Sequence, residues 1–171
     1  FDQNRKSTEA FISEQGFLLG CSVKDGYGML NCKMCTGTWE WTMTLVKDNA
    51  WDETSCLGVC RTELSDWRYE RSKDMWLVRC YNGEVYNNGR VGRSTSKVHP
   101  GDECRFKYDA KAGELYMAVN GSDETLLFEN LPSGLAPIGL FYGIGRTVRF
   151  GGMSRLGTGE DQVGIEWLPE M

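Results

Sequence analysis

The clearest alternation of apolar and polar positions runs over residues 38–46. Trp39, Trp41, Met43 and Leu45 fall on one side, and Glu40, Thr42 and Thr44 on the other. A period of two marks a strand with one buried face. The pattern returns over residues 100–121, where Cys104, Phe106 and Tyr108 alternate with Glu103, Arg105 and Lys107. Residues 109–113 supply a polar turn, and Leu115, Met117 and Val119 alternate again before Asn120-Gly121. That spells a β-hairpin.

Shorter strands are expected over residues 10–13, 16–23, 29–34, 55–61, 75–81, 84–86, 125–129, 135–141 and 147–150. Residues 24–28, 47–53 and 90–97 read as loops, rich in Gly, Asp, Asn or Ser. Residues 62–74 hold Trp67 and Tyr69 among charges of both signs, without helical recurrence, and read as a longer loop. Short strands spaced by roughly 8–12 residues, with no helical stretch, imply an all-β sandwich or barrel. Residues 1–152 are expected to form this domain, and 153–171 a C-terminal linker or extra edge strand.

Composition narrows the function classes. A chain of 171 residues is long enough to bury its own core as one domain. The net charge of −5, without a basic block, argues against nucleic acid. No apolar run approaches the ~18–20 residues of a membrane span. The polar N-terminus is not a signal peptide and lacks an initiator Met, so an excised piece of a longer protein is expected. The seven cysteines are odd in number, and Cys32-Lys-Met-Cys35 stands alone with His99 as the single histidine. Reduced thiols in a cytosolic or nuclear protein are therefore expected, with no metal and no cofactor.

Trp39, Trp41 and Trp76 sit on strand faces and read as core. Tyr27, Trp51, Trp67, Tyr69 and Tyr142 fall in expected loops. Aromatics there either anchor a recognition surface or fold back over the sandwich ends, and the sequence leaves both open. Arg90 and Arg93, with Lys97, form a basic loop suited to an acidic partner or simply to solvent. Catalysis finds little support. No carboxylate pair stands out for glycoside hydrolysis, and no Cys–His pair for nucleophilic attack.

Several motifs, in order, resemble one family. They are Ser13-Glu14-Gln15-Gly16, Gly37-Thr38-Trp39-Glu40-Trp41, Leu57-Gly58-Val59, Trp76 with Asn82-Gly83 and Tyr86, and the Gly101-Asp102 to Asn120-Gly121 hairpin. Phe128-Glu129-Asn130-Leu131, Ala136-Pro137-Ile138-Gly139-Leu140 and Val148-Arg149-Phe150-Gly151 follow. Together they resemble the SPRY domain, of the B30.2 type. The resemblance implies a bent, concanavalin-like sandwich of two antiparallel sheets. It also implies a non-catalytic, monomeric module that recognises a peptide or folded protein through loops at one edge. Such domains occur in large ubiquitin ligases, tripartite-motif proteins, SOCS-box adaptors and ryanodine receptors, so recruitment to a multidomain scaffold is expected. Matched onto this chain, the binding residues are Asp25, Tyr27, Trp67 or Tyr69, and Tyr142. A lectin-like sandwich stacking sugar on the same aromatics, and a purely structural domain, are the alternatives.

Overall fold

Strand β5, Thr38–Lys47, is the spine of the computed structural model, which describes residues 1–49, 55–157 and 165–167. Its inward residues Trp39, Trp41, Met43 and Leu45 are all buried, as the alternation demands. Trp41 stacks on Phe106 at 5.3 Å with the rings 10° apart.

The preceding strands are β1 Ala10–Ser13, β2 Leu18–Cys21, β3 Gly26–Met29 and β4 Cys32–Met34. A single 3-10 turn, Glu14–Gly16, joins β1 to β2. After β5 come β6 Ser55–Cys60, β7 Met75–Arg79, β8 Glu84–Tyr86 and β9 Arg90–Ser94. The hairpin is β10 Glu103–Asp109 and β11 Glu114–Val119. The last strands are β12 Thr125–Phe128, β13 Ala136–Phe141, β14 Arg146–Leu156 and β15 Ile165–Trp167.

Two antiparallel sheets face each other, ordered β1-β2-β14-β5-β10-β11-β12 and β3-β13-β6-β7-β8-β9. A small third sheet pairs β15 with β4. The fold is an all-β sandwich. Between the main sheets lie the β5 residues, Phe106, Tyr108 and Met117 from one side, and Leu57, Val59, Trp76 and Val78 from the other. Val85 and Phe141 complete the layer, and Trp39 and Trp76 are core as their strand positions imply.

Gly58 lies at the middle of β6, where a Cβ would sit 2.1 Å from the Trp76 carbonyl oxygen. Only glycine lets β6 and β7 approach so closely there.

Three differences from the sequence reading have plain causes. Residues 90–97 do not form a loop throughout, because Arg90–Ser94 pairs with β8 across a register shift. Its Gly and Ser content hid an exposed edge strand. Tyr27 likewise sits inside β3, opposite Leu140, because its two glycine neighbours pack tightly and are buried. Strand β14 also runs past Gly152 to Leu156. A bulge at Gly151 between Phe150 and Gly152 resets its register on β5 and lets pairing continue to Thr38.

Candidate interaction surface

The outer face of the second sheet is apolar, which a solvent-facing sheet would not be. Met29, Cys56, Cys60, Met75, Leu77, Ile138 and Leu140 form it, and the segment 62–74 closes over it. That segment is held by its own hydrogen bonds. The Arg61 N–H donates to the Asp74 carbonyl, Ser65 donates from its N–H to the Asp74 carboxylate, and Ser72 N–H reaches the Arg68 carbonyl. Fixed in this way, it lays Leu64, Trp67 and Tyr69 onto the sheet.

The result is a run of ring contacts. Tyr27 and Trp67 have centroids 5.8 Å apart, Trp67 and Tyr142 6.0 Å, and Tyr69 and Tyr142 5.3 Å edge-on. Tyr69 meets Tyr86 at 4.9 Å, also edge-on. Such pairs add to the gain from burial alone. Tyr69 is 5% exposed and therefore a packing residue. Tyr27, Trp67 and Tyr142 stay half-buried. Desolvation raises the Tyr27, Tyr69 and Tyr142 phenols above their ordinary value, so all three stay neutral donors at physiological pH.

Asp25 works on the backbone. Its Oδ1 accepts the Gly143 N–H at 2.7 Å, fastening the loop before β3 to the loop after β13. The Gly145 N–H donates to the Cys21 carbonyl at 2.8 Å and draws the same loops together. Trp67 and Tyr142 then line an open cleft of about 420 Å³, with Glu9, Lys24, Asp25, Arg68 and Glu70 around it. Val23, 70% exposed, and Ile144, 55% exposed, stand on the two fastened loops. Two aromatic walls in a mostly polar, mixed-charge cleft can seat a side chain and orient its backbone.

Arg90 and Arg93 lie elsewhere, on the edge strand β9 at the far side of the same sheet. The Arg90 Nη2 is 2.6 Å from a Glu84 oxygen, whose carboxylate also takes Arg79 at 3.0 Å and the Tyr86 hydroxyl at 2.7 Å. Those bonds, led by Tyr86, hold the Glu84 carboxyl below its ordinary range. Arg79 in turn reaches the Tyr69 hydroxyl at 3.1 Å, and Arg90 pairs with Tyr86 across β8 and β9, so Arg90 adjoins the Tyr69–Tyr86 end of the aromatic cluster. Arg93 pairs with Glu129 and is not among the residues that line the cleft. Trp51 lies outside the described residues.

Sequence reasoning named Asp25 but missed the rest of the rim and the hydrogen bond that Asp25 makes. Lys24, Arg68 and Glu70 adjoin aromatics already singled out, so proximity in sequence was an available signal. Glu9, Val23, Ile144 and the Arg79–Glu84 chain carried none, since only the pairing of distant strands brings them in.

Known structures share this architecture. The SPRY domain of human HERC1 superposes with a TM-score of 0.83 at 29% identity, covering 88% of this chain and 96% of that one. The chain folds as a SPRY domain. A second human SPRY domain gives 0.64 at 18% identity, over 85% of this chain and 95% of that one. The TRIM65 PSpry domain gives 0.62 at 15% identity, over 88% and 89%. These two speak for the fold alone. No family model matches the sequence. SPRY domains are, in general, protein-interaction modules.

Proposed function

We propose that this SPRY domain recruits a protein partner by seating a short peptide or a protruding loop on the Tyr27–Trp67–Tyr142 face. The supporting observation is the run of ring contacts that sets Trp67 and Tyr142 on the wall of one open cleft, with Tyr27 packed against Trp67, between loops fastened by the Asp25–Gly143 hydrogen bond. Half-buried aromatics lose little freedom on binding, and such residues supply most hot-spot energy. The ligand carries an apolar or aromatic anchor for the Trp67–Tyr142 wall, flanked by polar groups that meet Arg68 and Glu70. A peptide of this size buries well under ~1,200 Å² and binds in the micromolar range or somewhat tighter. The module itself carries no catalytic role. Its parent is a cytosolic or nuclear multidomain protein, a ubiquitin ligase in the first instance, and the domain chooses what that protein acts upon. The odd number of cysteines, seven, favours a reducing compartment for it.

The test is a capture from cytosolic extract by the wild-type domain and by Ile144→Asp, a change on an exposed rim that leaves the core untouched. Captured proteins lost on Ile144→Asp, while its thermal melt matches wild type, support the reading. Equal capture by both forms contradicts it.

A further inference from the structure

At the opposite end of β5, roughly 30 Å along the strand from the Lys47 side, lies a second polar pocket of about 670 Å³. It sits where β14 ends and the β10–β11 turn begins, and two cations line it: Arg155 and Lys111. Neither lies within 4 Å of a carboxylate oxygen among the described residues, although the Lys111 charge acts on Asp109 from further off. This sets Arg155 apart from Arg79, Arg93, Arg105, Arg146 and Arg149, each of which is paired with an acid.

The Arg155 guanidinium is held in place without being satisfied. It lies over the Trp39 ring, 5.7 Å from the centroid, and Trp39 is itself fixed by donating from Nε1 to the Thr36 carbonyl at 2.8 Å. Gly37 leaves room for it, since a Cβ there would fall 2.4 Å from the Arg155 Nε. Its Nη1 is buried and has no hydrogen-bond partner among the described residues. A shielded donor left unpaired is costly, and such groups ordinarily meet a protein atom, a water or a ligand.

One carboxylate, Asp109, shares the pocket, and it is already fully engaged. Its Oδ1 accepts the Lys111 and Ala112 N–H groups, each at 2.9 Å, and its Oδ2 accepts the Thr38 hydroxyl at 3.3 Å. These three bonds tie its oxygens to the turn and to Thr38. The Lys111 ammonium and the Arg155 guanidinium remain, with the Ser133 side chain on the wall. That is more donors than the two oxygens of a carboxylate can use. The three terminal oxygens of a phosphate monoester match them better.

We propose that this pocket is a second binding site, which takes a phosphate monoester on Arg155 and Lys111. The phosphate belongs either to a phosphorylated side chain of a partner protein or to a small phosphorylated molecule. The two sites lie at opposite ends of the sandwich, so the second can be filled while the aromatic face is occupied.

The test is a titration of the ¹⁵N-labelled domain with O-phospho-L-serine, with a phosphoserine peptide and with inorganic phosphate, against sodium chloride at matched ionic strength. The Trp39 indole N–H and the amides of residues 36–38 are the reporters. Saturable shifts with the phosphate compounds and none with chloride are expected. Arg155→Gln and Lys111→Ala should each weaken binding by about tenfold, as expected for loss of a charge-assisted contact. Ile144→Asp, on the other site, should not. Lys111 is exposed, so its variant keeps the test valid if Arg155→Gln fails to fold. Tighter binding of the phosphopeptide than of phosphoserine would assign the site to a protein partner, and equal binding to a small molecule. Shifts that track ionic strength alone, or that persist unchanged in both variants, would overturn the proposal.

Discussion

The Arg146 Nε lies 2.7 Å from the Asp48 Oδ1, with the arginine side chain fully buried and the aspartate 9% exposed. The pair joins the end of β5 to the start of β14, next to the loop that carries Tyr142 and Ile144. It is therefore part of what holds one wall of the proposed cleft. A buried pair of this kind contributes little over a well-packed apolar pair, but removing one partner takes a counter-charge away from a buried cation. Replacing Asp48 by Ala should cost about 3–5 kcal/mol in urea unfolding. A loss below about 1 kcal/mol, the range of an exposed pair, would contradict this.

Gly58→Ala should be among the most damaging single changes. The new methyl would collide with the Trp76 backbone oxygen at 2.1 Å, an atom held in the sheet that cannot step aside. Overpacking of this kind costs typically about 1–3 kcal/mol, and the rigidity of the neighbour puts this case at the upper end. The readout is the denaturation midpoint at unchanged slope. The same change at Gly89, where a Cβ would meet nothing within 4 Å, isolates the effect of left-handed backbone alone and should cost less.

Acid stability should depend on Asp109. Its hydrogen bonds, that from Ala112 foremost, hold its carboxyl below the ordinary carboxylate range. A depressed folded pKa gives stability that is complete above the unfolded value, about 3.9, and is lost as pH falls through the folded one. Below about pH 4 the melting temperature of Asp109→Asn should therefore fall less steeply than that of wild type. Parallel slopes would show that this carboxylate is not perturbed.

The thiols should divide six to one. Cys21, Cys32, Cys56, Cys60, Cys80 and Cys104 are buried, whereas Cys35 is only half-buried. Burial pushes the Cys32 and Cys104 thiols up to about 12, far from the thiolate that reacts. A disulfide reagent at about pH 8 should modify Cys35 quickly and the other six only after denaturation. Several fast equivalents in the native protein would contradict the burial pattern.

The sheets were legible in the sequence because most strands bury one face, and a period of two records it directly. The alternation in β5, β10 and β11 is nearly free of exceptions. Strand β9 was not legible, since Arg90-Val91-Gly92-Arg93-Ser94 has no buried face and an edge strand needs none. Of the aromatic face, Tyr27, Trp67, Tyr69 and Tyr142 could be named beforehand, as large rings in polar segments. Tyr69 proved to be packing, because the 62–74 segment turns that ring down onto Tyr86. The Asp48–Arg146 pair spans 98 residues and left no trace in either local sequence. Arg155 was equally silent. What marks it is the missing partner, which only the folded neighbourhood defines.

The most direct measurement of the central claim uses a peptide selected from a random library displayed on phage against the wild-type domain. Its affinity would be measured by calorimetry for wild type, Trp67→Ala, Ile144→Asp and Arg93→Ala, with each melt recorded alongside. Binding should weaken by at least about tenfold in Trp67→Ala and Ile144→Asp, as for loss of a hot-spot anchor, and stay unchanged in Arg93→Ala. Full affinity in a stably folded Ile144→Asp, with loss in Arg93→Ala, would move the interaction to the β9 edge and contradict the account.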